Sequence, residues 1–225
     1  MKIVTYFTGA AISLMLATGA AQATSLKLVD GGATAMTSAT IPGGSATNEL
    51  LGPLGLGATL DGWFSSAVEF VGEGQLVAEF YGWEAGFTND FNIGGNEIFS
   101  NSIGGDLQTA PIGTPIATWT SGIVDGGAGT LIDFSFDTDS DAYTISNGSD
   151  NDDPLRGFFA SVDGDATGTE GNAIWLFLDD SGAGKDDNHD DLAIRLSVQV
   201  PVPAAGFLLI GALGAFAGFK RRKKA

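Results

Sequence analysis

From residue 24 onward the chain alternates short apolar runs with glycines and clusters of aspartate, asparagine and serine. Nine runs alternate apolar with polar residues or are rich in β-branched and aromatic side chains: 25–29, 67–71, 76–83, 116–119, 130–136, 142–145, 157–162, 173–178 and 192–200. A period of two turns one side of each run toward a core, which predicts strands. The pairs Gly31-Gly32, Gly43-Gly44, Gly94-Gly95, Gly104-Gly105 and Gly126-Gly127 predict the turns between them. No window of the body carries helical periodicity and no segment recurs at a fixed period, so a helical bundle, solenoid or propeller is not expected. Many short strands with regular turn signals predict an all-β body, an antiparallel β-sandwich or jelly roll. Residues 33–60, rich in Gly, Thr, Ser and Ala, read as a long loop or a poorly ordered entry to the sandwich.

The two ends follow other rules. Residues 1–23 open with Lys2, run apolar from Ile3 through Leu16, and close on Ala21-Gln22-Ala23. A positive start, a short apolar stretch and small residues at the −3 and −1 positions predict a secretory signal peptide cleaved after Ala23. At the other end no charged residue occurs from Leu196 to Phe219, and Lys220, Arg221, Arg222, Lys223 and Lys224 follow at once. Such a segment is just long enough to cross a bilayer as one transmembrane helix, and the basic cluster behind it stays cytoplasmic. The domain plan is therefore a signal peptide at 1–23, a β domain at 24–200 and a membrane-directed tail at 201–225.

Val200, Pro201, Val202, Pro203 and Ala204, the apolar helix and the terminal Lys/Arg cluster together resemble the VPLPA-CTERM variant of the PEP-CTERM sorting signal, with Val202 where that motif has leucine. The resemblance covers roughly the last 25 residues. It implies an exported protein anchored in the membrane by its C-terminal helix. It also implies an exosortase-like processing enzyme as partner and a destination at the cell surface or in an exopolysaccharide-containing matrix.

Charge sharpens the picture of the body. The chain has 225 residues and a net charge of −17, yet residues 24–200 hold all 27 acids and only Lys27, Arg156, Lys185 and Arg195, a net −23. That balance excludes nucleic acid as a partner and favours cations. With 34 glycines the composition suits a turn-rich β protein. With no cysteine, disulfides, thiolate metal sites and cysteine nucleophiles are excluded.

Residues 174–196 read as strand, acidic loop, strand, a hairpin with a charged tip. Asp179, Asp180, Asp186, Asp187, Asn188, Asp190 and Asp191 offer seven hard oxygen ligands within 13 residues. Carboxylates so close repel one another unless solvated or neutralised, and Ca²⁺ takes six to eight oxygens. The EF-hand template fails, since Asp191 stands where it needs glycine and Ser197 where it needs glutamate. A calcium site of another type is expected. The segment Asp-Asp-Asn-His-Asp-Asp also resembles one recurring in PEP-CTERM-tailed proteins, and 83–91 resembles a Glu-Ala-Gly-aromatic-x-Asn segment found earlier in the same proteins. That resemblance implies an exported β domain that binds calcium.

Other candidates are weaker. Asp137, Asp139 and Asp141 have ligand spacing without the rest of a calcium loop, and 150–153 reads as a solvated turn. His189, the one histidine, sits among acids that favour its charged form and make it a poor general base, so a surface or charge-balancing role is expected. Trp63, Trp83, Trp119 and Trp175 are candidates for a sugar-stacking face, with Trp175 expected in the core. Three readings follow: a non-enzymatic surface protein stabilised by Ca²⁺, a carbohydrate-binding module attached to exopolysaccharide, and a hydrolase with two paired carboxylates.

Overall fold

The computed structural model describes residues 23–30, 32–37, 48–57, 59–101, 105–138, 142–148, 151, 156–163, 168–180 and 188–200. The signal peptide and the sorting tail, including Ala21, Pro201–Ala204 and the basic cluster, lie outside them; Ala23 and Val200 are the described edges of those segments. Among the described residues the structure is all-β, and no helix is long and apolar enough to cross a membrane.

Among the described residues fourteen strands form two antiparallel sheets. In chain order they are β1 (Ser25–Val29), β2 (Gly32–Thr37), β3 (Thr59–Phe64), β4 (Ala67–Ala85), β5 (Asp90–Ile93), β6 (Asn96–Ser100) and β7 (Gly105–Thr109). Then follow β8 (Ala117–Leu131), β9 (Phe134–Thr138), β10 (Tyr143–Ser146), β11 (Gly157–Val162), β12 (Glu170–Gly171), β13 (Ala173–Asp179) and β14 (Leu192–Gln199). The larger sheet runs β12-β1-β4-β14-β13-β11-β3-β2, with β7 and β8 on the other edge of β4; the smaller runs β10-β9-β5-β6.

Strand β4 organises the larger sheet. The sequence suggests two runs, 67–71 and 76–83, parted by glycines; they are one 19-residue strand. Its first part pairs with β1 and its second with β14, and the exchange of partners falls at Gly72 and Gly74. A Cβ at Gly72, where φ is +77°, would stand 2.8 Å from the Ala23 carbonyl oxygen. Glycine here permits a bulge and a close approach of backbones rather than ending the strand. Gly126-Gly127 is corrected in the same way: both lie inside β8, because a glycine at 126 lets β8 approach the Phe70 backbone of β4. The run 130–136 is split between β8 and β9 at Ile132 and Asp133. Gly94-Gly95 does form a turn, with φ of +59° and +71°, the backbone of a tight two-residue hairpin between β5 and β6.

Alternation builds the main core. Leu26 and Leu28 of β1, Val68, Phe70, Leu76, Ala78 and Phe80 of β4, Ile174, Leu176 and Leu178 of β13, and Leu192, Ile194 and Leu196 of β14 turn one face of the larger sheet inward. Phe91, Phe99, Phe134, Phe136 and Ile145 meet them from the smaller sheet, with ring contacts such as Phe91–Phe136 at 5.1 Å. The reverse face of the larger sheet is also covered. Leu50, Leu51 and Leu54 pack there with Tyr81, Phe159, Trp175 and Phe177, so every residue of β13 is buried.

Residues 33–60 are therefore not one long loop. They contain β2, which pairs with β3 from Gly32↔Phe64 to Thr37↔Thr59, and the leucine turn at 48–57. Low-complexity composition hides both, because three leucines with no period carry no strand or helix signal.

Candidate cation site at the base of the acidic hairpin

The predicted hairpin is present. β13 pairs with β14 from Ala173↔Ser197 to Leu178↔Leu192, which brings the two ends of the acidic loop together. The loop base is buried: Asp179, Asp180, Asn188, His189, Asp190 and Asp191 are all shielded, and Asp190 is 0% exposed. Asp186 and Asp187 lie outside the described residues.

Burial follows from what packs on the base. Asn48 accepts hydrogen bonds at Oδ1 from the backbone N–H groups of Leu50 and Leu51, both at 3.0 Å, as a capping asparagine does. Its Nδ2 donates to the carbonyls of Asn188 at 2.8 Å and His189 at 2.9 Å. The Glu49 N–H donates to Asp190 Oδ2 at 2.6 Å, and the Glu84 N–H to the Asp190 carbonyl at 2.8 Å. Thus the leucine turn and the end of β4 both close over the loop.

A third segment arrives from the smaller sheet. Asn89, directly before β5, donates from Nδ2 to Asp180 Oδ2 at 2.6 Å, while Arg156 Nε donates to the Asp180 carbonyl at 2.9 Å. Asn89 is itself fixed by Asn101, whose Oδ1 accepts from the Asn89 N–H and whose own N–H donates to the Asn89 carbonyl at 3.1 Å. The two stretches singled out in the sequence, 83–91 and 179–191, therefore touch at Glu84–Asp190 and Asn89–Asp180.

The electrostatics are costly. Burial pushes the Asp191 carboxyl well above the ordinary aspartate range, and the nearby charges of Asp180, Asp179 and Asp190 push it further. The Asp180 N–H, which donates to Asp191 Oδ2 at 2.8 Å, opposes the shift only in part. Asp191 at its folded position thus favours a neutralising proton or cation.

Of the two roles expected for His189, the surface one is not met. The residue is buried, with a left-handed backbone (φ 54°), its ring edge-on to Phe64 at 5.0 Å and Nδ1 3.8 Å from Asp179 Oδ2. Its backbone carbonyl, held by Asn48, fixes this uncommon conformation. Asn151 is likewise buried rather than solvated: Nδ2 donates to the carbonyls of Ser66 and Phe158, and Oδ1 accepts from the Phe158 N–H.

The donor set suits a hard cation, since it consists of carboxylate, amide and backbone oxygens. Among the described residues no three Asp, Glu or His side chains form a group that could hold a metal ion, so neutral oxygens must complete any coordination shell. Elsewhere, Asp137 receives hydrogen bonds from Asn92 and Thr144, and Asp139 and Asp141 lie outside the described residues. Trp175 is buried as expected, in the cluster on the reverse face of the larger sheet; Trp63, Trp83 and Trp119 are partly buried and pack against the main core between the sheets.

Sequence reasoning missed Asn48, and it met Asn89 only as the last residue of the Glu-Ala-Gly-aromatic-x-Asn segment, without a place at the acidic hairpin. An asparagine directly before Glu-Leu-Leu is the one local sign of the first, as a cap preceding an apolar turn. No family model matches the chain, and no curated protein and no solved structure matches it significantly.

Proposed function

We propose that the chain is an exported, non-enzymatic protein of the cell surface or extracellular matrix, with a jelly-roll-like β-sandwich body whose acidic hairpin is held by Ca²⁺. A signal peptide ending at Ala21-Gln22-Ala23 directs export. The C-terminal helix anchors the chain, and an exosortase-like enzyme processes it near Pro201–Pro203. The observation that carries the reading is the joint burial of Asp179, Asp180, Asp190 and Asp191 at one hairpin base within a body of net charge −23. Clustered buried carboxylates are stable when a proton or a cation compensates them, and calcium sites of extracellular modules have a Kd of about 0.1–1 mM. A non-enzymatic role is supported by His189, the chain's single histidine, being 6% exposed and packed on Phe64.

A carbohydrate-binding module is the second reading, and it needs an exposed aromatic platform. Trp63, Trp83 and Trp119 lean on the core, and the large exposed rings among the described residues are Phe87 and Tyr143. That arrangement favours the structural role for the tryptophans.

Cell fractionation with mass spectrometry of both termini tests the export reading. The expected surface form begins at Thr24 and ends near the proline motif. Recovery of the chain in the cytoplasm with Met1 in place overturns it.

A further inference from the structure

Asn89 is fully buried, its Nδ2 donates to Asp180 Oδ2, and its Oδ1 receives no hydrogen bond. A buried amide oxygen without a donor costs about 1–3 kcal/mol, so its position calls for a partner that the described residues do not supply. The carboxamide is joined to the acidic base through Asp180, which puts this oxygen next to Asp180, whose charge acts on Asp191 together with those of Asp179 and Asp190. A water molecule would satisfy Oδ1 and leave the repulsion among the carboxylates unchanged. A divalent cation answers both, and Ca²⁺ accepts neutral amide oxygens together with carboxylates.

Resting on the calcium reading of the hairpin, we propose that Asn89 Oδ1 is a ligand of that cation, which thereby staples the two sheets together. Asp180 directly follows β13 of the larger sheet, and Asn89 directly precedes β5 of the smaller one. A cation shared between them ties β13 to β5 across the core, the place a disulfide takes in other exported β domains. This chain has no cysteine with which to form one.

The test uses two variants of the full-length chain, Asn89→Ala and Asn89→Asp, each titrated with Ca²⁺ by calorimetry after circular dichroism confirms its β fold. Both variants remove the N–H donated to Asp180; only alanine removes the oxygen. Alanine is expected to weaken Ca²⁺ binding at least tenfold and aspartate to preserve or strengthen it. In the unsubstituted chain Ca²⁺ should also slow hydrogen exchange in β5 and β6, and this slowing should vanish in Asn89→Ala. Where the alanine variant does not fold, Asn89→Gly, which removes the same oxygen, takes its place. Equal loss in both variants, or unchanged affinity in Asn89→Ala, overturns the role of Asn89 alone. Absence of Ca²⁺ binding by the unsubstituted chain overturns the calcium reading itself, and the staple with it.

Discussion

The side chain of Asn48 spans the gap between the leucine turn and His189: Oδ1 caps Leu50 and Leu51, and Nδ2 holds the carbonyls of Asn188 and His189. One buried amide therefore joins the cover of the larger sheet to the base of the acidic hairpin. Asn48→Ala leaves two N–H groups and two carbonyls without that partner. The expected loss is about 2–4 kcal/mol, above the cost of one buried hydrogen bond because several are broken together. Urea unfolding measures it; a loss below about 0.5 kcal/mol, the scale of a neutral surface change, contradicts the described role.

Leu51 is buried among the leucine-turn residues that cover the aromatic face of Tyr81, Phe159, Trp175 and Phe177. Leu51→Ala is expected to destabilise by about 2–5 kcal/mol, the range for a buried leucine whose site cannot collapse. It should also raise the exposure of Trp175, seen as a red shift and quenching of tryptophan emission. Wild-type stability and emission would return residues 48–57 to the status of a peripheral loop.

Gly72→Ala tests the junction in β4. The residue has a φ of +77° and a Cβ would meet the Ala23 carbonyl at 2.8 Å, so alanine is both strained and crowded. A destabilisation of about 1–3 kcal/mol is expected, with β1 losing hydrogen-exchange protection first. If protection in β1 is unchanged, the backbone approach at this point is not a constraint.

Asp191 sets a pH dependence with a definite sign. Its folded carboxyl titrates well above its unfolded value of 3.8, so the folded state holds the proton more tightly. The resulting stabilisation is full below about pH 4 and is lost as pH rises through the folded value. In calcium-free solution the melting temperature should therefore fall from pH 4.5 to pH 7.5, and Asp191→Asn should flatten that slope. Thermal melts of both chains in chelator across this range decide it: equal slopes contradict the assignment to Asp191.

Much of the fold is legible from alternation alone. Strands β1 and β11 fall on the expected residues; β13 runs one residue further than the expected 173–178, and β14 stops one residue short of the expected 192–200. The losses have physical causes. Glycines in β4 and β8 mark bulges and close approaches, which look like turns in sequence because glycine serves both purposes. Strands β5 and β6 are four and five residues long and largely polar, so their pairing depends on the larger sheet lying beneath Phe91 and Phe99. The acidic loop was legible as a cluster of oxygen donors, but its burial was not, since that depends on the leucine turn packing from 140 residues away. Asn48, and the contact of Asn89 with Asp180, were hidden because a single amide gives no pattern until tertiary contacts select it.

The central claim is that the buried carboxylates at the hairpin base are compensated by Ca²⁺. Thermal melts of the purified full-length chain at pH 7.5, in chelator and in 10 mM Ca²⁺, test it most directly. For a site of about 0.1–1 mM affinity, mass action gives roughly 1.4–2.7 kcal/mol, or a rise of about 3–10 °C in a domain of this size. The rise should be absent with the same concentration of Na⁺ and smaller at pH 4.5, where protons compete for the same oxygens. A midpoint that Ca²⁺ leaves unmoved at pH 7.5 would contradict the account.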